Sequence, residues 1–248
     1  SAPPILTQQL SSFGVDLFAT ANTPAAALQH AACVMDQYLD QDRDGVADDP
    51  NVVAALTARQ AAMIMGATES DVEDVFDAID DNGGSFGDRE LQDVYASETA
   101  YFDGASYFDA SLEEVLHLIT QHGWANAYPS DFGEYSGTTL ADAVDAVIGD
   151  CEMSWECDED GDCEDYSYGS WIPGSCTGGF HYSDTTCDYG CLITEGLYWG
   201  VTSLLGAQED RCGEIDDEWE PCTPALMRSD APALSTLIDT MGITVLPD

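Results

Sequence analysis

Apolar residues recur at helical spacing through much of the first 150 positions, and this spacing predicts helices joined by acidic turns. An Ala-rich stretch over 24–39 would bury Leu28, Cys33, Val34 and Met35. A second helix is expected over 51–66, with Pro50 at its start and Gly66 at its end, the places where each residue is tolerated. Shorter helices are expected over 70–79 and 89–97, separated by a turn at 80–84. Residues 111–121 form the best-delimited helix, ending at His122-Gly123, and 139–148 are expected to be helical too.

The pattern then breaks. Over 150–190, acids, Gly, Tyr, Trp and five cysteines replace any clear period, which reads as a disulfide-stapled loop excursion. Regular structure resumes with a nearly continuous apolar run over 191–206, followed by a closing helix over 224–241. The expected fold class is mainly α: one helical domain over 1–248 with a C-terminal disulfide-rich region and little β.

Composition changes the picture in two ways. Forty-eight acids against five bases give a formal charge of −43, which argues against nucleic acid, whose phosphates need basic patches. Anionic membranes are disfavoured likewise, and no apolar run approaches the roughly 18 residues of a span. High salt, an acidic fluid or dedication to divalent cations would each suit such a surface. Secondly, eight of the nine cysteines crowd into the last part of the chain. Four disulfides among them would leave Cys33 as a buried free thiol. No C-x-x-C pair exists to support a zinc ribbon. The expected location is secreted or extracellular, and the start Ser1-Ala2-Pro3-Pro4 reads as a chain from which a signal has been removed.

Candidate chemistry begins at Asp40. Asp40-Gln41-Asp42-Arg43-Asp44-Gly45 is a D-x-D-x-D-G core, in which alternate carboxylates surround one centre and glycine permits the sharp turn. It resembles the calcium loops of EF-hand, dockerin and thrombospondin type 3 proteins. The resemblance implies calcium held by Asp40, Asp42, Asp44, the Val46 carbonyl, and Asp48 or Asp49. Asn51 stands where an EF-hand carries its bidentate Glu, so Asp48 or Asp49 must close the shell.

A second constellation lies on the helix over 111–121. Glu113-Glu114-Val115-Leu116-His117 resembles the H-E-x-x-H helix of zincin metallopeptidases with its first His replaced by Glu. The resemblance implies Glu113 and His117 as ligands of zinc or another transition metal, and Glu114 as the base that deprotonates metal-bound water. At about 100° per residue, Glu113 and His117 fall about 40° apart on one flank. Gly123 occupies the place where a metzincin needs its third His, which excludes that subtype. Glu195 is the lone acid in the apolar run over 191–201, where a carboxylate is costly unless paired or metal-bound, and it is the candidate third ligand. His181 and Asp184 are alternative or additional ligands, and Tyr198 or Tyr182 a candidate oxyanion donor. A bland alternative stands beside this. Ser111-x-x-Glu114 is also a capping box, Glu113 and His117 an ordinary i,i+4 pair, and Glu195 a hydrogen-bonded core acid.

The sequence therefore leads to a secreted, calcium-stabilised, zincin-like metal-dependent hydrolase that acts on peptides through metal-activated water. The alternative is a non-catalytic acidic calcium-binding protein of a surface or extracellular matrix.

Overall fold

The computed structural model describes residues 2–82, 86–100, 108–150, 176–182, 184 and 187–247. The chain divides into two compact units, Ser1–Ala127 with Pro247–Asp248, and Tyr128–Leu246. A four-stranded mixed sheet organises the first unit, with about 53% helix and 12% strand overall, so the class is α/β and not mainly α.

Strands β1 (Leu6–Ser12) and β2 (Val15–Thr20) form an antiparallel hairpin. Its turn residues Phe13 and Gly14 both take positive φ, 48° and 85°, which matches the twist of the flanking strands. Helices α1 (Ala25–Leu39) and α2 (Pro50–Ala58) then lead to β3 (Ala62–Gly66). Helix α3 (Glu69–Asn82) leads to β4 (Leu91–Tyr95), which a 3₁₀ turn at Ala96–Glu98 follows. The strand order is β1-β2-β3-β4, with β2, β3 and β4 parallel. Phe18, Ala62 and Ile64 pack with Val75, Ile79 and Phe86 in one apolar cluster against α3.

One expected helix and the C-terminal part of another are thus strands. In 51–66 the helix stops at Ala58, Gln60 adopts a left-handed φ of 55°, and the Ala61 amide bonds back to the Leu56 carbonyl at 2.9 Å. That is a helix-terminating arrangement in which a non-glycine residue takes the strained position. Ala62-Met63-Ile64-Met65 is then buried on both faces, which erases the alternation that marks a half-exposed strand. In 89–97, Leu91 joins the cluster on the α3 side while Gln92 bonds α4, the two-residue period of a strand. Cys33 is exposed rather than buried, because it lies on the outward stripe of α1 with Gln29 and Asp36.

Helix α4 (Ala110–Leu118) packs on α1 and β4. It continues through a π-helical turn, Ile119–Trp124, into α5 (Ala125–Ala127), so the expected stop at Gly123 does not occur. Gly123 is needed for contact: a Cβ there would meet Val52 of α2 at 2.8 Å.

The second unit contains α6 (Pro129–Phe132), α7 (Thr139–Ile148), α8 (Tyr189–Leu204), α9 (Cys212–Ile215), α10 (Pro224–Asp230) and α11 (Pro232–Asp239). Helix α8 is its buried axis, contacted by α7, α10 and α11. Gly196 and Gly200 let neighbours close in, since added Cβ atoms would lie 2.6 Å from Val144 and 2.9 Å from Leu234. The single closing helix expected over 224–241 is broken at Ala231, whose φ of −124° reflects the restriction that Pro232 places on its predecessor. Disulfides join Cys187 to Cys191 and Cys212 to Cys222, and Cys176 is also disulfide-bonded. The rest of the expected excursion, including Cys151, Cys157 and Cys163, lies outside the described residues. Among the described residues no helix is long and apolar enough to cross a membrane.

Candidate metal sites

The loop after α1 folds around its own carboxylates. Asp40, buried at the end of α1, accepts bonds from the Asp44 amide at 3.1 Å and the Gly45 amide at 2.8 Å. Asp42 accepts from the Asp44 amide at 3.2 Å, and Asp44 from the Val46 amide at 2.8 Å. Arg43 and Gly45 take positive φ, 57° and 85°, to turn the chain so tightly. Asp48 returns to the start of the loop, where its amide meets the Leu39 carbonyl at 2.9 Å and its carboxylate the Gln41 amide at 2.7 Å.

One oxygen from each of Asp40, Asp42 and Asp48 lies within 4.8 Å of the others, an oxygen-only group of the kind that hard cations take. The Asp44 amide lowers the Asp42 pKa, but the crowding carboxylates of Asp44 and Asp48 leave it raised overall. Asp49 is engaged differently. Its side chain caps α2, accepting from the Asn51 amide at 2.8 Å and the Val52 amide at 3.3 Å. Val46 is exposed at the tip of the turn.

On α4 the N-cap is Asp109, not Ser111. Asp109 accepts from the Ser111 amide at 3.0 Å and the Ser111 hydroxyl at 2.8 Å. Burial alone would raise the Asp109 pKa, yet bonds from His30 and Ser111 outweigh it and hold the carboxyl below its usual value. Helix α1 therefore grips the start of α4 twice, through His30 and through the Tyr38 hydroxyl, which donates to the Leu112 carbonyl at 3.0 Å. Burial, and then the carboxylates of Asp109 and Glu113, push the Tyr38 phenol well up.

The capping box is thus not formed, and Glu114 turns elsewhere. Its Oε2 accepts from Gln92 Nε2 of β4 at 2.5 Å and lies 3.5 Å from His117 Nδ1. Just beyond, Thr120 bonds the Leu116 carbonyl at 2.9 Å as the π-helical turn begins. Such turns recur at functional sites. Asp93, next to Gln92, is pushed up to about 6, first by burial and then by Glu114 and Glu98.

Glu113 and His117, four residues apart on α4, offer ligand atoms within 4.8 Å of one another, and Glu195 stands on α8 of the second unit. His117 is buried and the two carboxylates half-buried. In a tetrahedral site with bonds of about 2.1 Å, ligand atoms stand about 3.4 Å apart, so side-chain adjustments of about an ångström would close Glu113 and His117 on an ion. An imidazole beside a carboxylate suits a borderline ion better than a hard one.

His181 is placed elsewhere, its Nε2 3.4 Å from Glu220 Oε1 beside the Phe180–Trp219 bridge. Asp184 is exposed. Tyr198 is buried on α8, with its ring 5.1 Å from that of Trp199. His122 lies 3.9 Å from Glu90, and burial lowers its pKa. The participation of Gln92 was not foreseen. A neutral amide in a short strand carries no signal of chemistry.

Comparison with protein-family models, with curated proteins and with solved structures found no match, so the functional reading rests on the geometry of these two groups.

Proposed function

We propose that the protein is an extracellular metal-dependent hydrolase that holds a transition metal, zinc by preference, on Glu113, His117 and Glu195. Calcium in the loop from Asp40 to Asp48 would stabilise its scaffold. One observation carries the reading. The i,i+4 pair Glu113 and His117 on α4 offers ligand atoms within 4.8 Å of one another with the imidazole buried, and the lone acid Glu195 in an apolar helix is the third ligand this reading calls for. Zinc held by these three residues would supply Lewis acidity and an activated water for attack on a carbonyl. The zincin-like order of residues on α4 makes peptides the first substrates to try. The disulfides favour an oxidising compartment.

The test is hydrolysis of an unstructured polypeptide by zinc-loaded protein. Cleavage should disappear with a transition-metal chelator, return with zinc, and persist when calcium alone is sequestered. Zinc-loaded protein that binds the metal stoichiometrically yet cleaves nothing would overturn the hydrolase reading.

A second reading has its own support. The Asp40–Asp42–Asp48 group and the charge of −43 suit a non-catalytic calcium-binding protein of a surface or matrix. Calcium binding with no transition metal at α4 would favour it.

A further inference from the structure

We infer that Glu114, braced by Gln92, is a positioning residue for His117 rather than the base that activates water. This rests on the proposed metal site, and the geometry behind it lies wholly in α4 and β4. A single carboxylate oxygen of Glu114 is shared: it accepts from Gln92 Nε2 at 2.5 Å and stands 3.5 Å from His117 Nδ1. The His117 side chain is 7% exposed and that of Glu114 26%, so the contact is shielded on the imidazole side.

A carboxylate facing Nδ1 stabilises the tautomer that carries the proton there, and that tautomer leaves Nε2 as the lone-pair nitrogen. A movement of about 0.5 Å brings 3.5 Å to ordinary hydrogen-bond length, well within the adjustment a ligand makes on closing around an ion. Gln92 is suited to hold the arrangement. It comes from a strand paired along its length with β3, and its amide donates to the oxygen without competing for a metal. Glu113, one residue earlier, is the α4 carboxylate in the ligand group, and Glu114 is not among its members. The two adjacent glutamates thus divide the work: Glu113 ligates and Glu114 orients.

The chain has four histidines, so the tautomer of His117 can be read directly by nitrogen-15 NMR of the metal-free protein, with a His117 variant for assignment. The expected result is the Nδ1–H form in the native chain, shifting toward Nε2–H in Glu114→Ala. Nε2–H in the native chain, or an unchanged Nδ1–H form in Glu114→Ala, overturns the inference. Cobalt(II) titration gives the second readout. Glu114→Gln keeps the shape of the side chain and should weaken cobalt affinity about 10- to 100-fold, as loss of an orienting partner typically does. Gln92→Leu should weaken it less. Affinity unchanged in Glu114→Gln would mean that Glu114 does not position the ligand. The two ideas fail separately. A native chain that binds no cobalt refutes the metal site, whereas the tautomer measurement judges the positioning role without any metal.

Discussion

The two candidate metal groups are built in opposite ways. The Asp40 loop gathers its carboxylates within nine positions, leaves Asp42 and Asp48 exposed, and steadies them with its own amides. The α4 group pairs Glu113 with His117 one helical turn on, buries its imidazole, and backs it with Glu114 and Gln92. A local loop made only of oxygens suits a hard cation that tolerates irregular, flexible coordination. A group containing a buried imidazole suits a borderline ion, and its ligands are held by secondary structure, which is what chemistry at a metal requires. The first group was accordingly legible as a motif, and the second only as a sum of separate oddities.

The sharpest way to break this contrast is to remove one ligand from each group. Glu195→Gln should weaken transition-metal affinity by about 100-fold or more, since one of three protein ligands loses its charge, while calcium binding stays unchanged. Competition titration with a chromogenic chelator reads the first, and calcium-dependent thermal melts the second. Conversely, Asp40→Asn should abolish calcium stabilisation, which at a hundredfold excess over Kd amounts to about 2.7 kcal/mol in the native chain. Transition-metal affinity should survive that change. If either variant loses both metals together, the groups are not separate sites.

The helices were legible where a single amphipathic face meets solvent, as in α1 and α7, and where an apolar run is too long for a strand, as in α8. The sheet was not. Ala62-Met63-Ile64-Met65 follows a helix without proline or glycine, and its residues favour helices as readily as strands. Only burial on both faces, a property of the tertiary fold, makes it a parallel strand. The segment around Gln92 is a strand of only five residues, mostly half-buried, too short for its alternation to stand out, and with it the partner of Glu114 was hidden. Glu195 drew notice because an acid in an apolar run must be accounted for. Gln92 was missed because a neutral amide need not be.

A smaller effect separates crowded acids from ligating ones. Asp93 is pushed up to about 6, first by burial and then by Glu114 and Glu98. Between roughly pH 4 and 6 the folded chain keeps a proton that the unfolded chain has released, so this contribution makes stability fall as pH rises through that window. Asp93→Asn should flatten the slope and raise stability at pH 7 by about 1 kcal/mol, after allowance for screening at a half-buried position. Urea melts at pH 4, 5, 6 and 7 would show it, and an unchanged slope would remove Asp93 from the account.

The smallest change distinguishes Asp49 from its neighbour. Because its carboxylate caps α2, Asp49→Ala should cost about 1 kcal/mol of stability while calcium affinity stays within about twofold. Asp48→Ala should do the reverse, and calorimetric titration of both variants decides between them.

The central claim is a transition metal on α4, and elemental analysis of purified protein tests it most directly when repeated for His117→Ala. The account predicts about one equivalent of a transition metal in the native chain, lost with His117 while calcium remains. Calcium alone in both samples, after growth with zinc, manganese and iron supplied, would contradict it.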